Sequence, residues 1–230
     1  MRLETSGNAI TLRGRSVRRI DLTVDYAVTN RLFELDASYP QVYLHGTVQH
    51  CSNFGGTAGV SLKGGHPSRF IVKKGYLYGR VEEGVSIEMN GSSDAQFTLG
   101  ESGDGAAIVD HPSTGDLIAT AGTLLLAKRA LWRNGTNIVV RGTGKLKTAV
   151  SNQFNRNHTV VKLSDDGVLE IPEGVRQTVY DLYVDGVKVP GGMYGGADAP
   201  DGVNKTYAGH FAGAGVLRVV RHGMMTIVVR

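Results

Sequence analysis

The residues best suited to chemistry in this chain are scattered rather than paired. The segment His45-Gly-Thr-Val-Gln-His-Cys51 offers three metal-ligating side chains. On an extended strand His45 and Cys51 share a face while His50 points away. A zinc centre wants four converging ligands at shorter or paired spacing, so the segment reads as strand and turn, and no metal is assigned. Asp165, Asp166, Asp181, Asp185, Asp198 and Asp201 could supply oxygens to calcium. They follow neither the EF-hand spacing nor a glycine-aspartate nonapeptide, and Asp166, Asp185 and Asp201 stand directly before glycine in turn-forming positions. A polysaccharide lyase or glycoside hydrolase needs a base or a pair of carboxylates facing across a cleft. Lys73, Lys74, His111, Lys128, Arg129 and Arg133, with Glu82, Glu83 and Asp110, are the groups available. Their spacing singles out no set. Sugar rings can also be held by stacking. Trp132 beside Arg133 forms one platform for a glycan, and Tyr76 with Tyr78 shares one face of a regular strand.

The elements that would carry these residues are short strands. Apolar residues alternate with polar ones at Ile10 and Leu12, at Ile20 to Tyr26, and at Val42 and Leu44. The pattern continues at Val160 to Leu163, Val168 to Ile171, Val179 to Val184 and Met225 to Val229. Period-two alternation is the signature of half-buried strands. Ala121 to Trp132 is the best helical stretch, though it also reads as a strand followed by a turn. Asn-Gly and Asp-Gly pairs at 90–91, 104–105, 134–135, 166–167, 185–186 and 201–202 mark the turns. The clearest hairpin is Leu182-Tyr-Val-Asp-Gly-Val-Lys-Val189, with Asp185-Gly186 as its loop. The stretch from Gly191 to Asn204 reads as a long surface loop.

Glycine leads many of these strands, as in Gly59-Val-Ser-Leu62, Gly75-Tyr-Leu-Tyr-Gly79, Gly122-Thr-Leu-Leu-Leu126, Gly144-Lys-Leu146 and Gly167-Val-Leu169. The groups recur at intervals on the order of twenty residues, as in repeat folds. This pattern predicts an all-β fold, a right-handed parallel β-helix with a C-terminal hairpin and loop as its cap. Residues 1–175 form the coils, and residues 176–230 the terminal coil and cap, in one continuous domain. A β-sandwich is the alternative, since it too has many short strands and turns.

Composition fits such a fold. Glycine makes up 32 of 230 residues, against only 6 prolines, which suits tight turns and lacks the triplet period of collagen. The 41% hydrophobic content argues against disorder. The single cysteine, Cys51, cannot form an internal disulfide and suits a small buried position. Net charge is +4, and sparse basic clusters without aromatic interleaving do not predict nucleic-acid binding. No apolar run is long enough for a transmembrane helix. The start lacks the apolar core of a signal peptide, so the chain is expected to be a piece of a longer protein with Met1 added for expression. Four Asn-x-Ser/Thr sequons, at Asn90, Asn134, Asn157 and Asn204, fall in turns.

The tail carries a family resemblance. Gly167-Val-Leu-Glu-Ile-Pro-Glu-Gly174, Leu182-Tyr-Val-Asp-Gly186, Gly192-Met-Tyr-Gly195 and Phe211-Ala-Gly-Ala-Gly-Val-Leu-Arg-Val219 follow one another in that order. This stretch resembles the terminal coil of bacterial autotransporter-associated β-strand repeat proteins. The resemblance covers residues 160–219, with a looser match over 55–150, and the earlier coils depart from the family's regular consensus. It implies a parallel β-helix in an exported bacterial surface or secreted protein. The resulting expectation is a non-catalytic structural or adhesive solenoid, without a cofactor, that holds polysaccharide or host glycans weakly. Tyr180, Tyr183, Tyr194 and Tyr207 would pack the cap. The alternative is a polysaccharide-active β-helix enzyme or its accessory carbohydrate-binding module.

Overall fold

The computed structural model describes residues 68–220 apart from 78–79, 82 and 101–107, together with the backbone of six strands nearer the N-terminus. Side chains are described from Arg69 onward, except at 75, 76, 80 and 109. Among the described residues there is no α-helix, and one 3-10 turn spans Ala208–His210. The fold is all-β, and its strands pair mostly in parallel. A β-sandwich is built from antiparallel sheets, so this pairing departs from the alternative expected from sequence.

Most of the strands fall into three rows. The first runs through Arg19–Val24, Gln41–Gly46, Ser68–Val72, Val85–Asn90, Leu117–Leu126, Asn137–Thr148, Val160–Leu163 and Asp181–Val184, each parallel to the next. The second runs through Gly75–Leu77, Gln96–Leu99, the later halves of the two long strands, Val168–Glu170 and Phe211–Ala212. The third is built from smaller pieces. Val109–Asp110 pairs with Ala130–Leu131, Trp132 bridges to Phe154, and Arg176–Val179 pairs with Val216–Val219, all in parallel. A separate five-stranded sheet joins Arg2–Ser6, Ala9–Arg13, Leu32–Asp36, Ser61–Gly64 and Arg80–Val81.

From Val85 to Val184 the chain visits the rows in a repeating order. Register then stacks like on like. Phe70, Ile87, Leu117, Ile138, Val161 and Leu182 form one buried file. Phe97, Leu124, Leu146, Leu169 and Phe211 form another. These files are the core, and burying each large side chain contributes about 1.5–3 kcal/mol. Alternation supplies them, because every second residue of a strand faces the same way.

Glycine opens the second-row strands for a steric reason. Gly122 pairs with Gly144. At Gly167 a Cβ would lie 2.5 Å from the Val140 carbonyl oxygen, too close for any side chain. The sequence around Ala121 to Trp132 resolves as strand, not helix: Leu117–Leu126, then a turn, then Ala130–Leu131.

The tail closes two of the rows. Asp185 and Gly186 both take positive φ, at 49° and 78°, the geometry of a tight hairpin turn. The turn folds Val187–Lys188 back antiparallel onto Asp181–Val184. Gly192–Tyr194 pairs antiparallel with Val216–Val219. The stretch from Gly191 to Asn204 is therefore not all surface loop. Tyr194 and Ala199 are buried, and the Tyr194 hydroxyl donates to the Pro190 carbonyl at 2.6 Å. Its ring lies 6.2 Å from that of Tyr207. The strand expected at Met225 to Val229 lies outside the described residues.

Candidate functional site

The corner after the long strands is held by two stacked glutamines. Gln153 and Gln177 are fully buried. The Gln153 side-chain amide donates to the carbonyls of Leu126, Ala127 and Ala130, and its oxygen accepts from the amides of Ala149 and Val150. The Gln153 backbone N–H donates to the Gln177 side-chain oxygen at 2.9 Å, and Gln177 in turn donates to Val150. This network satisfies backbone groups that a bend would otherwise leave unpaired, and it fixes the third row.

On the outer side of that row lies a recess of about 720 Å³. Arg156, Arg176 and Arg218 line it with Ser151, Asn152 and Asn157. A second recess of about 360 Å³ shares Asn152, Arg156, Asn157 and Thr178 with the first and adds Arg133. The two form one groove. Pairing sets the order of its side chains. Trp132 bridges to Phe154, which brings Arg133 beside the segment holding Arg156. The Asn152 N–H donates to the Arg176 carbonyl at 3.0 Å, and the Arg176 N–H donates to Ser151 Oγ at 2.9 Å. Thr178 is in register with Arg218. Asn152 takes a positive φ of 60° at the lip.

Among the described residues no acidic side chain compensates the charge of this groove. Arg133, Arg156, Arg176 and Arg218 are exposed, no carboxylate lines either recess, and none of the four is in an ion pair among the described residues. Five cations elsewhere are paired with carboxylates. Glu88, 5% exposed, lies 3.2 Å from Arg69 and 3.8 Å from Arg141. Glu170 pairs with Lys145 and Lys147, and Asp181 with Lys188 at 2.6 Å. Burial pushes the Glu170 carboxyl up, but the hydrogen bond and charge of Lys147, then Lys145, outweigh it and hold the carboxyl below its ordinary value.

The residues expected from sequence are placed unevenly. Arg133 stands in the groove. Trp132 does not form the expected platform: it is fully buried, its ring centroid 5.5 Å from that of His111. The register that faces Arg133 outward turns its neighbour into the core. Tyr76 has only its backbone described, in Gly75–Leu77, and Tyr78 lies outside the described residues. The side chain of His45, and His50 and Cys51 entirely, also lie outside them. Of the lyase-like set, Glu82 lies outside the described residues. His111 is fully buried with Nδ1 accepting from the Val81 N–H, Glu83 and Asp110 are exposed, and of that set Arg133 alone lines the groove. Asp165 and Asp185 take the positive φ of turn residues, and Asp165 accepts from the Gly142 N–H at 3.1 Å. Among the described residues no group of three or more His, Cys, Asp and Glu could hold a metal ion.

Arg156, Arg176, Arg218 and Asn152 were not singled out by sequence, and Asn157 only as a sequon. Their signal is an interval: Arg133, Arg156 and Arg176 recur at the same roughly twenty-residue spacing as the Gly-led strands. Arg218 follows after about two such intervals, because the cap is inserted between. No family model matches the chain, and no curated protein or solved structure matches it either.

Proposed function

We propose that this chain is a right-handed parallel β-solenoid with a C-terminal hairpin-and-loop cap. Its role is that of a non-catalytic structural and adhesive segment of an exported bacterial surface or secreted repeat protein. The observation that carries the reading is the repeating order in which the chain visits three rows of parallel strands. Right-handedness follows from the strong preference of parallel crossover connections for that hand. The ordered tail, with its Asp185-Gly186 hairpin and antiparallel closing strands, supports the resemblance to autotransporter-associated repeats. Such a stack presents side chains at fixed intervals over a long face, which suits adhesion. Fold alone does not fix function, and export is tested by the parent reading frame, where an upstream signal peptide and further repeats are expected.

A lyase or hydrolase would need a proton-transferring group beside its substrate. Of the residues lining the groove, which include Gly174, Val220 and Phe154 beside the polar ones, arginine alone could take a proton, and no carboxylate, histidine, lysine or tyrosine stands with it to complete an acid–base pair. Incubation of the chain with pectate, alginate, chondroitin and neutral glucans should release no unsaturated or reducing ends. Release from any of them would replace this reading with the enzymatic one.

A further inference from the structure

We propose that the groove of Arg133, Arg156, Arg176 and Arg218 binds an acidic polysaccharide, laid along the direction in which the strands stack. The inference rests on the stacked-coil reading above, and it assigns the ligand that the stack holds. Three observations carry it.

The first is charge without a partner. Four exposed guanidinium groups line a polar groove and meet no carboxylate among the described residues, whereas Arg69, Arg141, Lys145, Lys147 and Lys188 are each paired. The second is residue type. Arginine's planar fork matches a carboxylate or a sulfate with two parallel hydrogen bonds. Asn152, Asn157 and Ser151 add donors and acceptors suited to sugar hydroxyls. The third is spacing. The arginines lie on successive rungs, set by the Trp132–Phe154 bridge, the Asn152–Arg176 bond and the Thr178–Arg218 register. Rungs stack roughly 4.8 Å apart, on the scale of one sugar ring in an extended chain. Single-stranded nucleic acid would call for exposed aromatic platforms. The aromatic side chain lining this groove, Phe154, is buried.

The test is binding by the full chain, read by isothermal titration calorimetry in low salt. The probes are polygalacturonate for carboxylates, dextran sulfate for sulfates, neutral dextran, and a single-stranded oligothymidylate. At least one acidic polymer should bind, with neutral dextran silent, and the stronger of the two identifies the anion. The double variant R176A/R218A should weaken that binding by about tenfold or more, as the loss of charge-assisted hydrogen bonds implies. R176K/R218K should lose less. Both arginines are exposed and unpaired among the described residues, so unchanged melting curves are expected for the variants. Failure of both acidic polymers to bind, an undiminished affinity in R176A/R218A, or tighter binding of the oligothymidylate would overturn the proposal. Cleavage of a bound polymer would overturn the non-catalytic reading while leaving the site in place.

Discussion

At the scale of the residue, burial separates groups that the sequence sets side by side. Trp132 and Arg133 are neighbours, yet one belongs to the core and the other to the groove. Sequence pairing of an aromatic with a cation suggested a platform, but strand alternation decides which of the two faces solvent. Gln153 shows the converse, a polar side chain placed inside because several backbone groups meet there. Gln153→Ala should destabilise the fold by about 3 kcal/mol, since each buried group left unpaired costs about 1–3 kcal/mol; chemical denaturation measures it. Glu170 gives a pH signature. Its carboxyl is held below the ordinary value by Lys147 and Lys145 despite partial burial. The stability it contributes is therefore full above its unfolded value and disappears as pH falls through its folded one. The difference in melting temperature between the wild type and Glu170→Gln should be small near neutrality, where a partly exposed pair is worth at most about 1 kcal/mol. It should shrink further below about pH 4.

At the scale of the element, Gly-led strands and Asp-Gly turns were legible because local sterics determine them. Asp185-Gly186 is the hairpin expected from its residue types, since both accept positive φ. Gly167 is required by a neighbouring carbonyl from the preceding rung. Gly167→Val should destabilise by about 1–3 kcal/mol through overpacking. Leu146→Ala, in the middle of the second buried file, should cost about 2–5 kcal/mol. Thermal and denaturant unfolding read both. The groove was not legible in this way. Its arginines are distant in sequence, and only the register between rungs, a non-local property, brings them together. The same holds for Tyr194, which turns a glycine-rich stretch expected at the surface into a packed cap by donating to the Pro190 carbonyl.

At the scale of the whole molecule, the parallel rows explain why one end needs closing. A strand without a neighbour presents unpaired amides and carbonyls that recruit other chains. Val187–Lys188 covers Asp181–Val184, and Gly192–Tyr194 covers Val216–Val219. Replacing Val187 and Lys188 by proline should break the covering pair and convert a dispersed sample into one that aggregates on concentration, as light scattering would show. Arg218 is in register with Met193 of the second covering pair, so closing that edge also holds Arg218 in place. Stack and groove are proposed to act together, parallel coils holding a row of arginines toward an acidic glycan. A crystal structure of the chain with an acidic oligosaccharide tests this most directly. Parallel rungs with the sugar acids on Arg133, Arg156, Arg176 and Arg218 are expected; an antiparallel sandwich, or a ligand seated away from those arginines, would refute both stack and site.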